Sequence, residues 1–250
     1  MFNNIPTVTK NILLINIVVY LLCLVTAQQG NLTIFNSLSA HYINTPLFGP
    51  YQIITHMFTH SLDNIFHIFF NMFLLVSFGS HLERIWGAKR YFIFYIACGI
   101  GAYLLYNAIG AYQFAQIKQE LIMDGYEIAK VNEYFWGTNI AELTLKSADS
   151  QALLTNYYKL GISSMVGASG ALFGLLAAFG VLFPNTPLMI MFIPVPIKAK
   201  FLIGGYLLYE VYNSIKMPAD NIAHLAHVGG AIVGIALVLI WRKTDRRHFY

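Results

Sequence analysis

The sequence predicts an all-α membrane protein that crosses the bilayer six times, with a helical insertion on the outer face between the third and fourth helices. Three observations lead there. Of 250 residues, 57% are hydrophobic and only 10% charged, against about 25% charged in ordinary soluble domains, and mean hydropathy is +0.59. A water-soluble globule so poor in charge would expose large apolar patches, and a disordered chain would lack this apolar excess. Six stretches approach the roughly 20 apolar residues a spanning helix needs: 11–27, 64–82, 91–112, 161–183, 199–214 and 222–241. Finally, the basic residues fall unevenly between the connecting segments.

Taken in order, the first span lacks a strongly basic leader and a small-residue cleavage site, so it reads as a retained helix. The fifth follows a segment broken by Pro184, Pro187, Pro194 and Pro196. Residues 184–198 therefore read as a cytoplasmic loop that partly re-enters the interface. With the N-terminus cytoplasmic, 10 of the 15 Lys and Arg lie inside, whereas only Glu83 and Asp245 of the 11 acids do. This is the positive-inside pattern, and it places both termini in the cytoplasm. The absence of an organelle transit signal points to a bacterial plasma membrane.

Residues 113–158 hold six acids, and the stretches FAQIKQELI and AELTLKSADSQALLTNYY show helical spacing of apolar residues. They read as an external insertion in a single membrane domain, 1–250. There is no internal repeat of helix pairs, which disfavours a transporter. Cys23 and Cys98 sit in apolar runs and read as small hydrophobes. A scattered charge of +4 gives no footprint for nucleic acid.

Polar groups inside a membrane segment are costly and mark functional sites. His67 and Asn71 lie in the first third of span two, Ser169 about eight residues into span four, and His227 about five into span six. At about 1.5 Å per residue these four share one level, roughly 10 Å below the outer surface. Gly170, Gly174 and Ala178 on span four, and Ala226, Gly230 and Gly234 on span six, form small-residue faces that permit close helix approach. Packing those faces together brings the Ser169 hydroxyl toward the His227 imidazole, the arrangement that activates a serine nucleophile. Singly, such a serine is most often packing and such a histidine a satisfied polar group; the coincidence of depth favours chemistry.

The spacing of His56 with His60, and of His224 with His227, also fits metal or haem ligation. Against an intramembrane zinc protease, no HExxH occurs; against a paired-aspartate protease, no Asp lies deep in a span. Glu210, the one deep acid, reads as snorkelling or pairing near the outer interface, with little part in orienting His227.

These residues resemble the rhomboid family of intramembrane serine proteases. GASGALFG (167–174) resembles its GxSx nucleophile motif, AHVGGAIVG (226–234) its AHxxGxxxG motif, HIFFN (67–71) its HxxxN motif, and GSHLERIWGAKR (79–90) the loop after that helix. The resemblance covers spans two to six. It implies a six-helix rhomboid-like bundle holding a Ser–His dyad in a water-filled cavity. The family's frequent Trp-Arg pair is replaced by Tyr51-Gln52, and a frequent Tyr by Phe173.

The expected activity is that of a serine endopeptidase, a hydrolase acting on transmembrane or juxtamembrane segments of protein substrates within the lipid bilayer. Ser169 is the expected nucleophile and His227 the base; His67, Asn71 and the Ser169 backbone N–H stabilise the oxyanion. Gly167, Phe173, Gly230 and Gly234 pack the site, with Phe173 orienting the imidazole in place of an Asp. Span five and the link 215–223 read as a lateral gate. No cofactor, metal or nucleic-acid partner is expected. Two alternatives stay open: a non-catalytic rhomboid-like protein that binds transmembrane helices, and a His-ligated haem or metal membrane protein.

Overall fold

The computed structural model describes residues 4–137, 143–190, 193–216 and 221–244. The chain opens with α1 (Thr7–Gln28), followed by α2 (Thr33–Leu38) and α3 (Gln52–Thr55), which tightens into a 3-10 turn at His56–Phe58. Then α4 (Ile65–Leu74) passes through a π turn (Leu75–Gly79) into α5 (Ser80–Trp86). The longest helix, α6 (Ala88–Met123), leads to α7 (Ile128–Trp136) and α8 (Ala148–Ile162). Last come α9 (Ser169–Leu182), β1 (Pro187–Ile190), β2 (Ile193–Lys198), α10 (Ala199–Lys216) and α11 (Asn221–Thr244).

Among the described residues, four helical runs are long and apolar enough to cross a membrane: Thr7–Gln28, Ile65–Trp86, Ala88–Met123 and His224–Thr244. The apolar helix Ser169–Leu182 is shorter, at 14 residues. The helices α1 and α4 bury one stripe and leave large apolar side chains outside, Leu14, Val18 and Leu21 on α1 and Phe66, Phe69 and Phe73 on α4, whereas α9 is buried from Gly170 to Phe179. In water such surface would drive aggregation; in hydrocarbon it is the natural exterior. The buried stripes meet in a core where Tyr91, Phe94, Tyr95 and Cys98 of α6 join Leu172 and Leu175 of α9. The start of α1 is pinned by Glu83 of α5, whose carboxylate accepts from Val8 N (2.9 Å), Thr9 N (2.7 Å) and Thr9 Oγ1 (2.7 Å). A carboxylate at a helix N-terminus satisfies orphan amides and complements the dipole.

The segment after α6 packs back on it in one buried cluster, where Tyr126, Val131, Leu154 and Tyr157 join Tyr103, Tyr106, Phe114 and Leu121 of α6. Ser147 caps α8 in a capping box with Ser150, and both hydroxyls donate to Asp124. Residues 138–142, which include the first two residues of the second helical stretch read from the sequence, lie outside the described residues.

Three expectations need correction. The stretch 161–183 is not one helix: α8 ends at Ile162, and α9 begins only at Ser169. Between them the chain pairs Met165 with Ala40 through two backbone hydrogen bonds, Ala40 N to Met165 O and Met165 N to Ala40 O. An apolar run read by hydropathy alone does not separate extended from helical backbone. The third helix extends well past 112, to Met123. The segment 184–198 holds an antiparallel strand pair instead of a loop, with Pro187 facing Lys198 and Met189 facing Pro196. Proline lacks an N–H, yet it fits an edge strand whose N–H side is unpaired. The part of the expected gate at 217–220 lies outside the described residues.

Candidate active site

Ser169 is the first residue of α9 rather than a residue eight positions within it. It is half-buried and presented by a turn that only glycine suits: Gly167 has φ of 117°, a region that L side chains rarely adopt. The Gly167 N–H donates to the His56 carbonyl at 3.0 Å, which ties this turn to the segment before α4. A methyl group on Gly167 would lie 2.9 Å from His67 Nε2 and 3.5 Å from Ser169 Oγ. Those two polar atoms therefore flank the space that the missing side chain leaves.

His67 projects from α4, and its Nδ1 accepts from the Ser61 backbone N–H at 3.3 Å. A neutral imidazole accepting at Nδ1 carries its proton on Nε2, the nitrogen beside Gly167; the tautomer is assigned from this hydrogen bond. Asn71, one turn on and buried, donates one amide N–H to the His67 carbonyl at 2.9 Å and keeps a second N–H.

The imidazole of His227 comes from α11. A methyl on Gly230 would sit 1.8 Å from the Gly170 carbonyl oxygen, and one on Gly234 2.6 Å from that of Gly174. The small-residue faces of α9 and α11 thus bring backbone against backbone. Phe173 of α9 stacks on the His227 ring. Ser169, His227, His67 and Asn71 all line one cavity of about 620 Å³, whose walls include the apolar side chains of Phe66 and Phe70.

Glu210 corrects a further expectation. It pairs rather than snorkels: it is 2% exposed, and its Oε2 lies 2.9 Å from His227 Nδ1 and 2.6 Å from His224 Nδ1. The expectation that no carboxylate stands behind His227 is overturned by this contact. The sequence signal for it was a lone acid in an apolar helix.

His56 also lines the cavity, and His60 packs behind His67. His56 is buried with Nδ1 2.8 Å from the Gln52 carbonyl, and burial pushes its pKa down to about 4. His60 is buried with its ring edge-on to His67 at 5.2 Å, and burial, with the nearby His67, pushes it down to about 3. Gln52, in the Tyr51-Gln52 pair, knits the loop between α1 and α4: it accepts from His41 N and donates to the Ser37 and Leu47 carbonyls. Among the described residues, the one group of three side chains close enough to share a cation is Glu210, His224 and His227.

A bundle of apolar helices enclosing a cavity lined by a hydroxyl, imidazoles and an amide defines an integral membrane protein with a polar internal site. The model of the Rhomboid domain matches residues 48–117 and 131–244, and the chain belongs to the rhomboid family. It is similar to Rhomboid protein 1, mitochondrial, of Saccharomyces cerevisiae, with 24% identity over 186 residues, 74% of this chain and 40% of that protein. It is also similar to Rhomboid-like protein 15 of Arabidopsis thaliana, with 34% identity over 89 residues, 36% of this chain and 21% of that protein. The matches thus span less than half the length of either relative.

Proposed function

We propose that this protein is an intramembrane serine endopeptidase that cleaves transmembrane or juxtamembrane segments of membrane proteins. The observation that carries the reading is the shared cavity: the Ser169 hydroxyl opens on the same space as the His227 imidazole and the His67 Nε2 side of the Gly167 turn. Membership of a family that includes serine proteases supports it.

In this reading Ser169 Oγ attacks a substrate carbonyl while His227 takes the hydroxyl proton and then passes it to the leaving amine. The oxyanion receives donors from His67 Nε2–H, the free Asn71 N–H and the Ser169 backbone N–H. Gly167, Gly230 and Gly234 set the backbone approach and Phe173 the plane of the imidazole. A peptide carbonyl inside a helix is hydrogen-bonded and shielded. The substrate must therefore unwind locally, which favours segments with Gly, Pro or small residues.

The apolar helix α9 and the 18-residue α10 complete six crossings in this reading, within a single domain over 1–250 whose outer insertion spans about 113–158. The distribution of Lys and Arg supports cytoplasmic termini. A bacterial plasma membrane draws no support from the two named relatives, which come from a yeast and a plant.

The test is cleavage of a model transmembrane substrate by detergent-solubilised wild type and Ser169→Ala side by side. Wild type cleaves and takes a fluorophosphonate label on Ser169; Ser169→Ala does neither. Activity that survives Ser169→Ala, or a label on another residue, overturns the assignment. Substrate binding without cleavage by the wild type marks instead a protein that only recognises membrane helices.

A further inference from the structure

Glu210 is a carboxylate in a membrane helix, 2% exposed, and its Oε2 faces two imidazole nitrogens, His227 Nδ1 at 2.9 Å and His224 Nδ1 at 2.6 Å. Both separations are those of hydrogen bonds. An ionised carboxylate can only accept, so each Nδ1 must present an N–H to it. With its proton held on Nδ1, a neutral His227 keeps its lone pair on Nε2, the tautomer that a base for Ser169 needs. The stacked Phe173 ring, 4.0 Å away and 12° from parallel, restrains the plane of the imidazole but not its rotation within that plane. A hydrogen bond at Nδ1 supplies the missing restraint.

We propose that Glu210 is the positioning carboxylate of a Ser169–His227–Glu210 triad, and that His224 is the second donor holding that carboxylate under the imidazole. The inference rests on the reading of Ser169 as nucleophile. As the hydroxyl proton moves to His227 Nε2, the ring becomes an imidazolium, and the Glu210 charge stabilises it without itself accepting the proton. His224, whose ring also stands edge-on to Tyr209 at 6.3 Å, keeps Oε2 from turning away.

The same three side chains offer ligand atoms within 4.8 Å of one another, so a divalent cation is the competing occupant. Two ligands on one zinc stand roughly 3.3 Å apart when each bond is about 2.0–2.1 Å. The 2.6 Å and 2.9 Å separations to Oε2 are shorter and favour the protons.

The test compares the full chain in detergent as wild type, Ser169→Ala, Glu210→Gln, Glu210→Asp and His224→Ala, with cleavage kinetics, fluorophosphonate labelling and melting. Glu210→Gln is expected to leave KM within about threefold and to lower kcat and labelling by roughly 10²–10⁴-fold, because its amide can drive the wrong tautomer. Glu210→Asp restores at least about tenfold of that loss by returning a carboxylate, and His224→Ala costs less than Glu210→Gln. Should Glu210→Gln fail to fold, Glu210→Asp carries the comparison through a lowered kcat at preserved KM. A kcat for Glu210→Gln within threefold of a wild type that Ser169→Ala inactivates overturns the triad alone, and so does Glu210→Asp no better than Glu210→Gln. Wild-type activity lost to a chelator and restored by zinc also overturns it, making the cluster a metal centre. Equal activity of wild type and Ser169→Ala overturns the nucleophile and the triad together.

Discussion

The ring of Phe173 lies flat against the imidazole of His227, centroids 4.0 Å apart and planes 12° from parallel. The two residues come from α9 and α11, helices that touch backbone to backbone because Gly170 faces Gly230. Phe173 is itself buried and also contacts the ring of Tyr206, at 4.9 Å. The imidazole therefore has a fixed wall on one face, while its Nδ1 faces Glu210.

Removing that wall should lower turnover without dissolving the fold. An aromatic pair contributes about 0.5–1.5 kcal/mol beyond its burial, which corresponds to roughly a two- to twelvefold change in rate. Phe173→Ala is expected to fall in that range or somewhat below it in kcat, while Phe173→Tyr keeps most of the activity. Initial rates on one transmembrane substrate decide the matter; a Phe173→Ala enzyme as fast as wild type would mean that the stack does not orient the base.

The two groups read as oxyanion donors should differ in weight. His67 Nε2 stands beside the Gly167 turn, whereas Asn71 spends one N–H on the His67 carbonyl. Loss of an oxyanion donor costs about 2.7–4 kcal/mol, or roughly 10²–10³ in kcat. His67→Ala should show that full loss. Asn71→Ala should impair turnover without abolishing it, and KM should move little in either case. Single-turnover rates separate the outcomes, and a shift confined to KM for both variants would remove them from the transition state.

Much of the lining of this candidate site was legible in the sequence, because a polar residue in an apolar run stands out and small residues four apart announce a close helix contact. Ser169, His227, His67 and Asn71, which line one cavity, were singled out that way, and so was the meeting of the faces that carry Gly170 and Gly230. The depth of Ser169 was not legible: residues 163–168 are apolar enough to pass for helix, and only the backbone at Gly167 shows that the helix starts later. Glu210 was misread because its partners, His224 and His227, lie on another helix and share no spacing with it. The strand pair at 187–198 was hidden by its prolines, which argue against strands unless the edge is free. Glu83 is a comparable case, since its use as a cap for α1 joins residues more than 70 positions apart.

Acid should loosen this fold through histidines that stand outside the spanning helices. Burial holds His56 at about 4 and His60 at about 3, well below the ordinary 6.5. Both are therefore neutral in the folded protein near pH 7. The unfolded chain binds their protons more readily, so between the ordinary and the lowered values it carries more protons than the folded one, and stability must fall as pH falls. The stabilisation is complete above about pH 6.5 and is lost on the way down to about 4 for His56 and to about 3 for His60. Each buried histidine contributes a slope of at most about 1.4 kcal/mol per pH unit in that window. Denaturant unfolding in detergent at pH 7.0, 6.0 and 5.0 (roughly the upper part of the window) should show a falling midpoint, and His56→Gln should flatten the fall. The carbonyl of residue 56, which receives the Gly167 N–H, is kept in that variant, so the turn before Ser169 stays tied. A midpoint that rises on acidification would mean that these imidazoles are already protonated in the folded protein, and one that holds constant that folding leaves their proton affinity unchanged.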